Sequence, residues 1–373
     1  MRAEYQLLLK VLAAFAVAGV LSFASTPVVK KFAYRVGAID VPKDARRMHK
    51  VPIPRLGGLA IFLGFLFSVL VFAPLTREIQ GILLGAVIIV VLGVLDDIMV
   101  LGAKLKFVVQ ICAAIMPVMH GVRIERFSNF NPFSDELYIN LGWLSIPVTI
   151  IWIVGITNAV NLIDGLDGLA VGVSSIASFT LLAIGLLVGD PAVAIIMAAL
   201  AGACVGFMPY NLNPATIFMG DTGSTFLGFI LASISVTGLF KFYAVISFAV
   251  PFLILGLPIF DTLFAIIRRV LHGQSPMAPD RGHVHHRLMD MGFNQKQAVA
   301  ILYAISGVLG LAAVVLTSSG EIRAMLLILA VIVCFAIAAK ILFGGDRGHH
   351  EQTKEEPEEQ EPDRQKEDKH EQD

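Results

Sequence analysis

Charge is scarce in this chain. Only 15% of its 373 residues are Asp, Glu, Lys or Arg, while 56% are hydrophobic and the mean hydropathy is +0.78. A soluble domain carries about a quarter charged residues, so a soluble globular enzyme is excluded. Cysteine is scarcer still. Cys112, Cys204 and Cys334 all lie inside apolar runs, which argues against a disulfide or metal framework and for small packing residues. The first apolar run, Tyr5 to about Ser25, lacks an A-x-A-like cleavage site and is too long for a signal h-region, so it reads as a retained helix. No soluble-domain repeat is visible, and no inverted repeat of the kind that builds transporters.

What is present is a succession of apolar runs, each about 20 residues and so able to cross the hydrocarbon core of a bilayer. They predict an all-α, polytopic integral membrane protein of about eleven transmembrane helices. The expected spans are 5–25, 57–75, 80–95, 105–121, 143–158, 168–188, 191–208, 223–240, 243–264, 298–317 and 323–343. Breaks fall at Gly, Pro and charge, as in GDPA (189–192) and SSGEIR (318–323). The basic loops set the orientation. Thr26–Arg55 carries eight Lys and Arg against Asp40 and Asp44, and 265–297 carries Arg268, Arg269, Arg281, Arg287 and Lys296. Both are expected in the cytoplasm, which puts the N-terminus outside and the C-terminus inside.

Charge is also unevenly spread. Residues 344–373 hold 12 acids and 5 bases, a net of −7, which leaves 17 acids and 23 bases, a net of +6, for the remainder. The reading is a membrane-embedded domain over 1–343 and an acidic, disordered cytoplasmic tail over 344–373.

Alternation sends 26–56, 96–104, 159–167, 209–222 and 265–297 to the cytoplasmic face. The polar motifs collect there, whereas the outside loops are short and chemically dull, apart from 122–142, whose alternation suggests a small hairpin. That segregation favours one site on one face over unrelated helix caps. Asp96 and Asp97 sit side by side at an apolar helix end, where two carboxylates repel and resist desolvation unless a cation relieves them. Mg2+ suits carboxylate oxygens and bridges to phosphate. Asp221 lies among glycines at a helix N-terminus, as a cap or as a carboxylate aimed at a metal. Asp164 and Asp167 are three apart and share a face if helical; their spacing is not that of an EF-hand. His283, His285 and His286 stand among Arg281 and Arg287 without Cys or an H-E-x-x-H pattern, which suits a phosphate or sugar clamp better than zinc. Carboxylates for a divalent ion and a basic loop for phosphates point to phosphoryl transfer, with a lipid as one substrate. A transporter would place its site near the bilayer midplane, and a scaffold would need none of these motifs.

Four segments, VLGVLDDIMVLGAKLK, NAVNLIDGLDGLA, YNLNPATIFMGDTGSTFLG and PDRGHVHHRL, resemble in content and order the motifs of the polyprenyl-phosphate N-acetylhexosamine-1-phosphate transferases, the MraY/WecA superfamily. The resemblance covers about residues 1–343. His-Val-His-His after Pro-Asp-Arg-Gly is similar to the WecA/TagO-like branch; the peptidoglycan branch carries three consecutive histidines. The resemblance implies transfer of GlcNAc-1-phosphate from UDP-GlcNAc to undecaprenyl phosphate, at the cytoplasmic face of the bacterial inner membrane, as the first membrane step of an envelope polysaccharide. Phospho-MurNAc-pentapeptide or another N-acetylhexosamine-1-phosphate is the alternative cargo. It implies Mg2+, with Mn2+ as the alternative, a bilayer setting, no nucleic-acid partner, and a homodimer as often found in the family. By the same resemblance Asp221 ligates Mg2+, with Asn161 and Asp164 lining the metal and pyrophosphate region. One of Asp96 and Asp97 deprotonates the lipid phosphate, with Asp96 preferred. Asp167, Asn211 and Phe218 form the uridine pocket, and Lys50 stands at its mouth. His283, as a catalytic residue, acts with His285, His286 and Arg281 on the diphosphate and sugar. The peptidoglycan branch has a lysine where this chain has Val100; Lys104 and Lys106 follow later as candidate phosphate contacts.

Overall fold

The computed structural model describes residues 2–42, 51–128, 138–239, 246–274 and 282–318. Its helices are α1 (Arg2–Val36), α2 (Gly57–Phe72), α3 (Arg77–Met99), α4 (Ala103–Met119), α5 (Ser145–Leu162), α6 (Leu169–Leu187), α7 (Pro191–Asn211), α8 (Gly220–Leu239), α9 (Ile246–Ile254), α10 (Gly256–Leu271), α11 (Val284–Asp290) and α12 (Gln295–Ser318). Among the described residues, six helical stretches are long and apolar enough to cross a membrane: Glu4–Val36, Arg77–Met99, Gly142–Leu162, Leu169–Leu187, Pro191–Asn211 and Gln295–Ser318. The chain is therefore an all-α polytopic membrane protein, apart from two short antiparallel strand pairs. One pairs β1 (Ile39–Asp40) with β2 (Ile53–Pro54). The other pairs β3 (Arg126–Ser128) with β4 (Tyr138–Asn140), the hairpin expected within 122–142.

Helix ends follow local chemistry. The Thr76 hydroxyl accepts from the Ile79 N–H at the start of α3. The Asp190 carboxylate accepts from Ala192 and Val193 at the start of α7, with Pro191 at the first position, where no N–H is needed. Two expectations are corrected. The first span lies within a 35-residue helix that accommodates Pro27 and runs on to Val36, where Gly37, at φ 76°, ends it. The span expected over 243–264 is two helices divided at Leu255, where Pro251, Gly256 and Pro258 interrupt the run. The second of them, α10, is amphipathic and carries Asp261, Arg268 and Arg269. The last expected span, 323–343, and the tail over 344–373 lie outside the described residues.

The core is a set of close helix contacts. α1 packs along α7 and α2, α6 against α7, and α8 between α3 and α5. At α1–α7 a side chain in place of Gly202 would run into the Phe15 carbonyl, so the two backbones nearly touch. Phe226 of α8 receives Phe62 and Phe65 of α2 edge-on, with centroids 5.4 and 5.3 Å away. Polar groups inside the bundle pair across helices. Asn158 Nδ2 donates to Gln110 Oε1 at 2.7 Å, tying α5 to α4, and the Ser68 hydroxyl donates to the Ala14 carbonyl at 2.8 Å. Asn158, polar and within the second motif, is thus interhelical glue.

Candidate active site

The first turn of α8 is the pivot of the site. Gly220 has φ 72°, and a side chain there would strike the Asp97 carboxylate and the Arg55 carbonyl. Asp97, from the end of α3, caps this helix from across the bundle. Its Oδ1 accepts from the Asp221 N–H at 3.1 Å; its Oδ2 accepts from the Thr222 N–H at 3.0 Å and the Thr222 hydroxyl at 2.7 Å. The carboxylate thus meets the positive end of the helix dipole as well as two otherwise orphaned donors. Glycine at 93 lets α3 approach closely enough, since a side chain there would overlap Thr222. Arg55 donates to the Asp97 carbonyl from Nε and Nη2, at 3.2 and 3.1 Å. The segment around it is laced to the chain entering α8: Phe218 N–H donates to the Pro54 carbonyl, and Gly57 N–H to the Phe218 carbonyl. Asp97 is 3% exposed and both its oxygens are engaged, so its place in the structure is to aim Asp221.

Asp96 faces the other way. Its Oδ1 accepts from the Leu101 N–H at 2.7 Å. Lys106 Nζ, from α4, donates to Asp96 Oδ2 at 2.9 Å and to Asp221 Oδ2 at 3.0 Å. Asn161 Nδ2 donates to Asp221 Oδ1 at 3.2 Å and to the Ser224 hydroxyl at 2.8 Å. Asp221 and Asp96 therefore each turn one oxygen to a shared point. Among the described residues, no three His, Cys, Asp or Glu side chains gather as a metal cage. Mg2+ does not require one: it takes one or two carboxylates and completes its octahedron with water and substrate phosphate. The donor set fits such an ion and not zinc, which prefers nitrogen and sulfur ligands. Asn161 would join it only after turning its amide so that Oδ1 replaces Nδ2.

Asn161 and Asp221 open onto a cavity of about 620 Å³, lined by Asp97, Asn161, Asp164, Asp167, Asn211, Phe218, Asp221 and His286 among the expected site residues; Asp96 and Lys106 lie outside its lining. Asp164 lies in the turn between α5 and α6. Burial, reinforced by the nearby carboxylates Asp221, Asp97 and Asp167, pushes its pKa up to about 8. A cation or a hydrogen-bonding substrate in the cavity would relieve that crowding. Asp167 Oδ2 accepts from Asn213 Nδ2 at 2.9 Å and from the Ala215 N–H at 3.0 Å. Asn211, 3% exposed, is committed to backbone: its Oδ1 accepts from Gly168 and its Nδ2 donates to the Ile217 carbonyl. It lines the cavity and also braces the loop that carries Phe218.

The histidines divide. His286 lines the cavity, while His283 and His285 are buried outside its lining. His283 Nδ1 bonds to Asp261 Oδ2 at 2.8 Å, and Asp261 Oδ1 accepts from the Val284 N–H at 2.8 Å. Arg268, two turns further along α10, donates to the Gly282 carbonyl at 2.9 Å. The polar face of α10 thus grips the start of the histidine segment. On its other side His285 lies against Gly165, where a side chain would meet its ring. Burial lowers the His285 pKa to about 4, with His286 adding to the effect, so His285 is neutral at pH 7. Lys50 and Arg281 lie outside the described residues.

A family model described as Glycosyl transferase family 4 matches residues 79–239, from the first turn of α3 to the end of α8. The chain is 42% identical over 335 residues to a probable undecaprenyl-phosphate N-acetylglucosaminyl 1-phosphate transferase of Bacillus subtilis (strain 168), covering 90% of this chain and 92% of that protein. The chain belongs to the MraY/WecA superfamily. Two further relatives show its breadth. A decaprenyl-phosphate N-acetylglucosaminephosphotransferase of Mycolicibacterium smegmatis is 34% identical over 362 residues, 86% of each chain. A phospho-N-acetylmuramoyl-pentapeptide-transferase of Staphylococcus aureus (strain MSSA476) is 32% identical over 288 residues, 71% of this chain and 86% of that one.

In this member of the superfamily the matched stretch contains the carboxylate cluster and stops short of the histidines. Several residues at the site escape a reading of the motifs alone. Arg55, Asn213 and Gln295 line the cavity. Asn213 Nδ2 also donates to Gln295 Oε1 at 2.7 Å, so α12 contributes to the pocket through its first residue. Asp261 carried one signal, a charge within an apolar run, but nothing local named its histidine partner.

Proposed function

We propose that this chain transfers GlcNAc-1-phosphate from UDP-GlcNAc to undecaprenyl phosphate, releasing UMP and leaving undecaprenyl-diphospho-GlcNAc. The observation that carries the reading is a cavity lined by Asn161, Asp221, Asp167 and Phe218, with Asp96 and Lys106 meeting Asp221 from behind its wall. Such a lining suits a nucleotide diphosphate with its phosphates at the carboxylates and its base against an aromatic ring and a carboxylate. The B. subtilis relative supports the GlcNAc cargo by its name.

In the proposed reaction an oxygen of the lipid phosphate attacks the β-phosphorus of the donor, and the bond to UMP breaks. Mg2+, or Mn2+ in its place, would be held by Asp221 with Asp96 and would neutralise the diphosphate. Asp97 and Asn161 orient Asp221. Asp96, beside Lys106 while no metal is bound, is the residue assigned to take a proton from the lipid phosphate. His286 faces the sugar and diphosphate, and Asp261 with His283 and His285 holds the segment that presents it. Lys50 and Arg281 are assigned to the nucleotide mouth and the diphosphate.

The proposal extends to placement. Eleven spans, an outside N-terminus, a cytoplasmic acidic tail and an active site on the cytoplasmic face of the bacterial inner membrane are supported by the basic segments around 26–55 and 265–297. A homodimer is part of the same reading.

The test is turnover by full-length protein in detergent with undecaprenyl phosphate, Mg2+ and either UDP-GlcNAc or UDP-MurNAc-pentapeptide. UMP and lipid-linked GlcNAc, lost with EDTA and in Asp221→Asn, are the expected result. Turnover of the pentapeptide donor alone would overturn the cargo; turnover of neither would overturn the reaction.

A further inference from the structure

Lys106 poses a problem that the proposed reaction leaves open. Its ammonium lies 2.9 Å from Asp96 Oδ2 and 3.0 Å from Asp221 Oδ2, at the point where those oxygens converge. A divalent ion on the same oxygens needs them at about 2.0–2.1 Å. The ammonium and the ion cannot share that space, and two cations at such range repel strongly. The lysine has a way out. Its side chain is 30% exposed, and its unbranched stem can swing the ammonium toward solvent. The carboxylates do not have the same freedom: Asp96 is tied to the Leu101 N–H, and Asp221 is fixed by Asn161 and by the capped turn of α8. Lys104, the other lysine of this motif, is exposed.

We infer that Lys106 is a tethered counter-cation that exchanges with the divalent ion: it balances Asp96 and Asp221 while no metal is bound and weakens metal binding until a diphosphate donor arrives. The inference rests on the metal-dependent reading above. Its consequence is an order of events. Without the donor, the ion must displace an ammonium already well placed. With the donor, phosphate oxygens add ligands to the ion and also offer the displaced ammonium an anion nearby. The metal site is thereby coupled to the substrate, and the two carboxylates never face each other unbalanced.

The experiment measures Mn2+ binding to full-length protein in detergent, without substrate, by electron paramagnetic resonance of the free ion. Wild type, Lys106→Met and Lys106→Arg are compared, each with and without Asp221→Asn. Lys106→Met keeps the apolar stem and removes the charge. It should bind Mn2+ at least tenfold more tightly than wild type, and Asp221→Asn should abolish the gain. Lys106→Arg keeps the charge and should remain close to wild type. Equal or weaker Mn2+ binding by Lys106→Met, or a gain that survives Asp221→Asn, overturns the inference. Turnover with UDP-GlcNAc is read separately. A wild type that turns over while Lys106→Met gains no metal affinity sinks the inference and spares the reaction. Tighter binding by Lys106→Met in a protein that turns over neither donor does the reverse.

Discussion

Asp97→Ala is the sharpest test of how the site is built. The substitution removes a carboxylate that accepts three hydrogen bonds from the start of α8, two from backbone N–H groups and one from the Thr222 hydroxyl. Those donors lie in a turn with little access to water; Thr222 is fully buried. Each buried donor left unsatisfied costs about 1–3 kcal/mol, and the loss of an N-cap alone costs about 1 kcal/mol. Relaxation of the turn recovers part of this, so the net loss is about 3–5 kcal/mol, in line with removal of one partner from a buried charged pair. For a chain of this size that lowers the apparent melting temperature by roughly 4–6 °C. Asp97→Asn keeps one acceptor oxygen and should lose about half as much. Asp96→Ala is the contrast. It frees the Leu101 N–H and a partly exposed lysine, and should cost no more than about 1–2 kcal/mol while abolishing turnover. The assay is intrinsic-fluorescence melting in detergent for all three proteins. If Asp97→Ala melts with Asp96→Ala, Asp97 does not hold α8 and the capping argument is wrong.

Other expectations concern single residues. Val100 ends α3 with φ 54°, a conformation that costs a β-branched residue about 1–2 kcal/mol, so Val100→Gly should raise the melting temperature, whereas a fall would refute the strain. The folded protein resists protonating His285 until about pH 4, while the unfolded chain takes that proton near 6.5. Stability from this residue is therefore complete above about pH 6.5 and lost as pH falls toward 4, by up to about 3 kcal/mol. His285→Gln should flatten that slope in melts from pH 7 to pH 5; an unchanged slope would put the acid sensitivity elsewhere. Asn213 joins Asp167 to Gln295 at the cavity wall, so Asn213→Ala should raise KM for the nucleotide sugar about tenfold with a smaller change in kcat, and the reverse pattern would move Asn213 out of the nucleotide pocket.

How much was legible beforehand differs from element to element. The helices from α1 to α8, and α12, follow from hydropathy and from Gly, Pro and Asp at their ends, because a bilayer requires each span to be apolar and internally hydrogen-bonded. In sequence α9 and α10 look like one helix because their combined length and apolarity fit a span; the prolines weaken a helix, but only packing decides whether it bends or breaks. The gathering of Asp97, Asn161, Asp164, Asp167 and Asp221 was readable, since loop charge sends all their segments to one face. His283 and His285 fell on the right segment yet not on the cavity wall, because a histidine's position in a motif does not say which ring is buried.

By itself, then, the sequence determined a membrane-embedded helical chain whose carboxylates and basic residues gather in a few polar motifs. These are properties of composition and local pattern, and neither needs to know which helices touch. The tertiary structure alone decided the partners. Asp97 caps a helix whose first turn lies 125 residues further on, Lys106 reaches Asp221 across 115 residues, and Asp261 takes a histidine 22 residues away. Hydrogen bonds and ion pairs depend on ångström-scale approach, and that approach was set by which backbones could come close: α3 to α8 at Gly93 and Thr222, and α1 to α7 at Phe15 and Gly202.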